Sequence, residues 1–481
     1  MMRGDSLVMH ETLAQRSILF ESGSVFPGNV PLLGHLPTFL WALWRAGGNV
    51  SGAFESFFRQ TQQKTFRFKL GPQWMMLTVD PQLMHHVLYT EFARYPKSQY
   101  ERHVLNPVMA GGMITAEGEE WKAHRQIFQP FFSTDFVKTL VPLVHETVSE
   151  RLSAWGAIID VDYEMCAITF DLIARFFLGG KVGQYEGDQD LDFYTPHLIV
   201  LEGILESRVF PLFRFQQDIT NSLNLKTKFK VSSQIIKDFI LNRVDKAVCD
   251  QQSSLSVIIK EFDSKDIFVK EMLSMIAAGL TTAHLLTWVS SLVAKDSSRQ
   301  GYLRDEIKQF YYEQTDKQDI SLQILDQLTY LDAVIQEGLR LYPPAPYVLR
   351  TLGERPLDPL IIMSIWSMHR DPNLWLQPDA FAPERWLRAS PGYETAGEMD
   401  GQRKLFPGFL PFGDGPRICI GRRFALVESK LIFMEMVNRF TLTLVDPILP
   451  MAKTTILTRP QRPIRLQVQP VMGERRGWLG R

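Results

Sequence analysis

Phe412-Gly413-Asp414-Gly415-Pro416-Arg417-Ile418-Cys419-Ile420-Gly421 is the stretch that decides how this chain is read. It sets one cysteine in a tight loop punctuated by glycines. The loop runs straight into Arg422-Arg423-Phe424-Ala425-Leu426-Val427-Glu428-Ser429-Lys430-Leu431, a helix-like run. Glycine allows positive φ and close backbone approach. Arg417, two residues before the cysteine, adds a fixed positive charge, and free N–H groups at a helix start favour negative charge. Together these features favour a thiolate at Cys419, which can act as an axial iron ligand. An ordinary buried cysteine would leave the flanking phenylalanine, glycines and arginine unexplained. A zinc site there is disfavoured, because the only other cysteines are Cys166 and Cys249 and no Cys-x-x-Cys pair exists.

The loop resembles the cysteine-ligand loop of the cytochrome P450 family, the haem-thiolate monooxygenases, through Phe412, Gly415, Arg417, Cys419, Gly421 and Ala425. The resemblance extends over roughly residues 25–470 and is most specific over 337–430. It implies a mainly α fold with a small β lobe, haem b as cofactor and Cys419 as the iron ligand. It also implies an N-terminal extension over 1–25 and one haem-binding domain over 26–481. The β-rich lobe would lie at about 60–80 and 345–370. Length alone would have suggested two or three domains.

Working outward, Leu331-Asp332-Ala333-Val334-Ile335-Gln336-Glu337-Gly338-Leu339-Arg340 reads as a helix stopped by Pro343-Pro344. Glu337 and Arg340, three apart, share a face. By resemblance, Arg385 completes a buried ion network with them. Arg350 would be an arginine for a haem propionate, and Ala345, Pro346, Tyr347 and Val348 would line the pocket above haem. The segment 351–361, ahead of His369-Arg370-Asp371-Pro372, is shorter than the family's usual β excursion.

Ile267–Ala294 is apolar over most of its length, yet Lys270, Glu271, Thr281, Thr282 and His284 interrupt it, so it reads as a buried helix rather than a membrane span. Its Ala278-Gly279-Leu280-Thr281-Thr282-Ala283 run resembles the family's oxygen-binding groove. Gly279 would let cofactor and O₂ approach the backbone, and Thr282 would supply the distal hydroxyl on the same face. Thr281 stands where the family usually has an acid. A hydroxyl passes a hydrogen bond but holds no charge.

Residues 118–133 read as a helix on which Trp121 and Arg125, four apart, share a face. The resemblance assigns Trp121, Arg125, Arg350 and Arg417 to the haem propionates, and Phe412 to the cofactor pocket. Thr65–Leu70 and Trp74–Val79 flank Gly71-Pro72 as a hairpin, followed by a helix capped by Asp80 with Pro81 in its first turn. Residues 137–180 and 222–247 read as helical. By resemblance, residues 95–115 cover the pocket and 195–215 roof it.

The charge balance is −1, from 52 basic and 53 acidic residues, and calls for neither nucleic acid nor an anionic membrane. Three cysteines make no disulfide framework and fit a reducing compartment. Asp5, His10, Glu11, Arg16 and Glu21 interrupt any N-terminal apolar core, and Phe39–Trp44 is too short to span a bilayer. The expectation is therefore a soluble, cytoplasmic enzyme of bacterial type without a transmembrane anchor. Its partners would be O₂, a small apolar organic substrate, and a ferredoxin or flavodoxin fed by an NAD(P)H-dependent reductase. The proximal face around Arg422 and Arg423 is the expected docking area. Thr281 motivates an alternative: peroxide-driven oxidation, oxidative coupling or isomerisation on the same fold. A haem sensor or carrier without catalysis is a third possibility.

Overall fold

The computed structural model describes residues 24–99, 102, 112–178, 234–245, 265–312, 322–353, 358–387, 408–454 and 456–471. The expected roof over 195–215 and Cys249 lie outside these residues, as do parts of the 95–115, 222–247 and 351–361 segments. Helices dominate, and two of the β-sheets frame them.

The organising element is the central helix Lys265–Ala294, which is buried along most of its length. It is long and apolar enough to cross a membrane, but 83% of its most apolar window is inside the protein. Its first half packs Phe268, Met272 and Ile276 among Phe170, Ile173 and Phe177 of the helix Val161–Leu178. Its second half packs Leu285, Trp288 and Val289 among residues of the helices Thr329–Leu341 and Arg422–Arg439. Trp288 stacks on Tyr342, with ring centroids 3.9 Å apart. Apolar side chains on every face explain why the helix sits at the centre rather than at the surface.

The larger sheet takes the order β1 (Ser24–Val25), β2 (Thr65–Leu70), β3 (Gln73–Thr78), β6 (Leu360–Ser364), β5 (Tyr347–Thr351). The expected hairpin is β2–β3, antiparallel with Leu70 opposite Gln73. Asp80 accepts the Gln82 N–H at 2.9 Å and caps the short helix Pro81–His85. β5 and β6 pair antiparallel from Tyr347↔Ser364 to Thr351↔Leu360, so the connection between them is only residues 352–359. A second sheet sets β10 (Arg465–Pro470) between β4 (Ile158–Asp160) and β7 (Phe440–Leu444).

The helix expected over 137–180 is two helices. Leu140–Ser153 ends at Ala154, and Val161–Leu178 begins after β4. Gly156 weakens the helix there. The β-branched pair Ile158-Ile159 is drawn into pairing with Gln467 and Leu466.

Candidate active site

The cysteine loop is a closed structure in its own right. The Cys419 N–H donates to the Phe412 carbonyl at 3.0 Å, and the Ile418 N–H donates to Gly415 at 3.0 Å. Asp414 turns its carboxylate onto the Gly415 N–H at 2.7 Å and onto His85 Nδ1 at 2.7 Å. Gly415 has φ +69°, and a Cβ there would lie 1.9 Å from the Leu88 carbonyl oxygen. Only glycine fits this contact. The loop then opens onto the helix Arg422–Arg439, whose first full turn is closed by Ala425 N–H donating to Gly421 at 2.8 Å.

Cys419 is exposed as a residue, yet protein atoms crowd around its sulfur. Desolvation there raises the thiol above its ordinary value. The Gly421 N–H, which donates to the sulfur, and the positive charges of Arg125 and Arg422 work against that rise and favour a thiolate. Arg125 also ties the loop to its own helix, donating to the Ile418 carbonyl at 2.9 Å.

Trp121 and Arg125 lie on the helix Gly118–Phe128 and share a face, with the guanidinium 5.9 Å from the ring centroid. Arg417 reaches the same ring from the cysteine loop, at 4.2 Å. Its other contacts are the Ala116 carbonyl at 2.9 Å and the Glu117 carboxylate at 2.7 Å. Glu117 is a residue the sequence reading missed. Arg350 is buried on β5, with Nη1 on the Leu349 carbonyl at 2.7 Å. Ile420 packs into the apolar cluster shared by Trp121, Ile173 and Ala277, so the cysteine loop, the Trp121 helix and the central helix meet.

On the central helix the expectation for Gly279 needs correcting. Gly279 does not face an open groove. A Cβ there would strike Ile173 Cδ1 at 2.4 Å, so its missing side chain admits the neighbouring helix. Ala278 is the exposed position of the run, and Thr281 is half-buried with its hydroxyl donated to the Ala278 carbonyl at 2.7 Å. Thr282 is buried, and its hydroxyl lies beside the Glu428 carboxyl on the helix after Cys419 and favours the charged form. Glu428 is itself buried, and burial raises its carboxyl to about 8. Its Oε1 has no partner among the described residues.

A second buried acid, Glu271, stands in the first half of the central helix. Glu271 Oε1 accepts the Met113 N–H at 2.6 Å and lies 2.8 Å from His124 Nδ1 on the Trp121 helix. Desolvation raises it to about 8, against the pull of the Met113 N–H. A carboxylate inside an apolar helix was the signal that a partner had to exist.

Tyr347 and Val348 do not line one surface. Strand alternation sends Tyr347 toward the aromatic cluster of Phe26, Phe57 and Phe66, and Val348 to the opposite side with Met84, Leu88 and Met363. Val348 therefore shares its side with Arg350. Ala345 is half-buried just before the strand.

Glu337, Arg340 and Arg385 do come together. Arg340 binds Glu337 with two parallel bonds of 2.9 and 2.8 Å, and Arg385 Nε adds a third at 3.2 Å. Trp386 Nε1 and the Ala382 N–H, each at 2.9 Å, complete the carboxylate's partners. His369 carries this brace to the cysteine loop: its Nδ1 meets the Arg340 carbonyl at 3.1 Å, and its Nε2 accepts the Leu410 N–H at 3.1 Å. Burial and the Arg340 charge push His369 down to about 3, so the imidazole is neutral and can accept that bond.

The sequence profile of the Cytochrome P450 family matches residues 29–468. The chain belongs to that family. Cytochrome P450s are haem-thiolate oxidoreductases, and haem b is their cofactor. Similar curated P450s come from distant sources. Cyclooctatin synthase of Streptomyces melanosporofaciens is 25% identical, over 93% of this chain and 95% of its own. Cytochrome P450 3A18 of Rattus norvegicus is 26% identical, over 92% and 89%. Human Cytochrome P450 4Z1 is 25% identical, over 78% of each. The mainly helical P450 architecture with small mixed sheets is the one described above.

Proposed function

We propose that this P450 inserts one O₂-derived oxygen into a small apolar organic substrate, with electrons from a separate ferredoxin or flavodoxin system. The observation that carries the reading is Cys419: a sulfur in a rigid loop, facing a backbone N–H and two guanidinium charges. That donor set fits a haem-thiolate ligand. Trp121, Arg125, Arg350 and Arg417 are the groups that would hold the two haem carboxylates. The fit is chemical, since charge-assisted N–H and guanidinium donors suit carboxylates.

Bound haem supplies the oxygen-activating iron. The protein's share is positioning and protons. The Cys419 loop would hold the thiolate, and the Gly421 N–H that donates to the sulfur would draw off part of its electron density. Thr282 presents a hydroxyl, and the buried Glu428 carboxyl holds a proton beside it at neutral pH. Val348 would border the substrate. Arg423, exposed at the start of the helix after Cys419, would belong to the redox partner's docking face. Cys166 and Cys419 are both free thiols, and a reducing cytoplasmic location agrees with them.

The peroxide-driven reading rests on Thr281, whose hydroxyl is engaged with its own helix rather than holding a charge. Two measurements separate the readings. The ferrous carbon monoxide adduct should carry the family's red-shifted Soret band and lose it in Cys419→Ser. A ligand screen read by the Soret shift then supplies a substrate, and turnover with a ferredoxin system is compared with turnover by peroxide alone. Product only with peroxide would sink the monooxygenase assignment.

A further inference from the structure

Three potential metal ligands from two core helices converge away from the cysteine loop. Asp162 and Cys166 sit one turn apart on Val161–Leu178, and His284 faces them from the central helix. One ligand atom from each lies within 4.8 Å of the other two. His284 Nε2 is 3.9 Å from Asp162 Oδ1, and Thr287 Oγ1 donates to the same oxygen at 3.1 Å. Cys166 and His284 are buried, whereas the Asp162 side chain keeps 23% of its surface in solvent. The cluster is therefore enclosed but reachable through Asp162.

We propose that Asp162, Cys166 and His284 form a zinc site that clips these two helices together, with water in the fourth position. The proposal does not rest on the monooxygenase reading. A mixed sulfur, nitrogen and oxygen set selects zinc over magnesium or calcium, which take oxygen ligands. In a tetrahedral zinc site, ligand atoms stand roughly 3.3–3.6 Å apart, from bond lengths of about 2.0–2.3 Å. The His284–Asp162 pair, 3.9 Å apart, needs to close by about 0.5 Å, and the pairs with Cys166, within 4.8 Å, by about 1.3 Å at most. Charge also balances: one thiolate and one carboxylate neutralise Zn²⁺, so no net charge is buried. On binding, the Cys166 S–H bond breaks, a sulfur–zinc bond forms, and the proton leaves to solvent with no change of oxidation state. Without the ion, burial and the charges of Asp162 and Asp160 keep the thiol protonated. His284 lies two residues beyond Thr282, so the clip would fix the central helix just past the Thr282–Glu428 contact.

The test uses the haem-loaded protein, stripped with EDTA, equilibrated with zinc sulfate and desalted. About one zinc per chain is expected. Cys166→Ser and His284→Gln should each lose it, and Cys249→Ser should keep it. Zinc should raise the thermal midpoint of the unaltered protein and leave that of Cys166→Ser unmoved. The carbon monoxide spectrum checks that each variant is folded. If the Cys166 or His284 variant fails to fold, zinc K-edge absorption on the unaltered protein decides by itself: one sulfur neighbour supports the site, and a shell of nitrogen and oxygen alone overturns it. Zinc retained by both folded variants would mean an adventitious surface ion and would also overturn it.

Discussion

Glu428 faces Thr282 across the contact between the helix that follows Cys419 and the central helix, and both residues are buried. The pair sets a proton-holding group beside a hydroxyl in a chain whose Thr281 cannot hold one. If the two act as a unit, Thr282→Ala and Glu428→Gln should each lower product formed per NAD(P)H severalfold, with the lost equivalents appearing as hydrogen peroxide. The double variant should be little worse than either alone, since the effects of interacting neighbours are not additive. Thr281→Ala should do less, because its hydroxyl is already given to the Ala278 carbonyl. A larger loss from Thr281→Ala than from Thr282→Ala would put the working hydroxyl at 281.

The same carboxyl should write itself into the pH dependence of stability. Glu428 is raised from 4.5 to about 8 in the folded chain. The folded state therefore binds more protons than the unfolded one across that window, and stability falls as pH rises from about 4.5 to 8. Below the window both states are protonated and the full stability is present. Glu271 adds in the same direction, also raised to about 8. Each tenfold difference in proton affinity is worth about 1.4 kcal/mol, so the slope should be measurable by denaturant unfolding. Glu428→Gln should flatten it. An unchanged slope in that variant would mean that Glu428 is ionised in the folded protein.

Much of this site was legible in the sequence because its geometry is local. A loop with Gly415, Arg417 and Cys419 carries its own turn chemistry, and Trp121 with Arg125 or Glu337 with Arg340 are fixed by helical spacing. What stayed hidden depends on which elements pack together. Glu428 and Thr282 are 146 positions apart, and no periodicity announces that their helices touch. Glu117 carries no motif of its own, and only the folded cysteine loop brings Arg417 to it. The resemblance puts Tyr347 and Val348 in one lining, and strand alternation separates them. The break at Ala154–Gly156 was missed because helical residues lie on both sides, and it took β10 to draw Ile158-Ile159 into a sheet.

The Arg417–Trp121–Glu117 constellation predicts how firmly haem is held. Arg417 is paired with Glu117 and lies over the Trp121 ring, while Arg125 is tied to the Ile418 carbonyl. Charge-assisted bonds contribute about 1.5–3 kcal/mol each. Arg125→Ala should therefore release haem to apomyoglobin roughly tenfold faster or more. Glu117→Gln, which leaves Arg417 charged but less anchored, should give a smaller increase. Equal release from unaltered protein and Arg125→Ala would remove Arg125 from the carboxylate clamp.

The brace should matter to the loop before it matters to chemistry. Glu337 is fully buried with five donors on its two oxygens, from Arg340, Arg385, Trp386 and Ala382. Removing it strands two guanidinium charges, which costs about 3–5 kcal/mol. Because His369 connects Arg340 to Leu410, the damage should spread to the cysteine loop. Glu337→Ala is expected to lower haem occupancy and the thermal midpoint together.

Gly279 supplies the sharpest test of how the central helix packs on Val161–Leu178. A methyl group there meets Ile173 Cδ1 at 2.4 Å, on the helix Val161–Leu178. Gly279→Ala gains helix propensity worth about 0.8–1 kcal/mol, but overpacking a filled core costs typically 1–3 kcal/mol. The net expectation is a modest loss of stability. Ile173→Val shortens the side chain by the atom that clashes, at its own cost of about 0.5–1.5 kcal/mol. The double variant Gly279→Ala/Ile173→Val should therefore be more stable than the sum of the single changes predicts. Had Gly279 faced the haem concavity, Gly279→Ala would instead disturb ligand binding and leave the stability cycle additive. Denaturant unfolding of the four proteins, with the Soret shift of a bound azole measured alongside, separates the two cases. An additive cycle with an altered azole shift would return Gly279 to the groove.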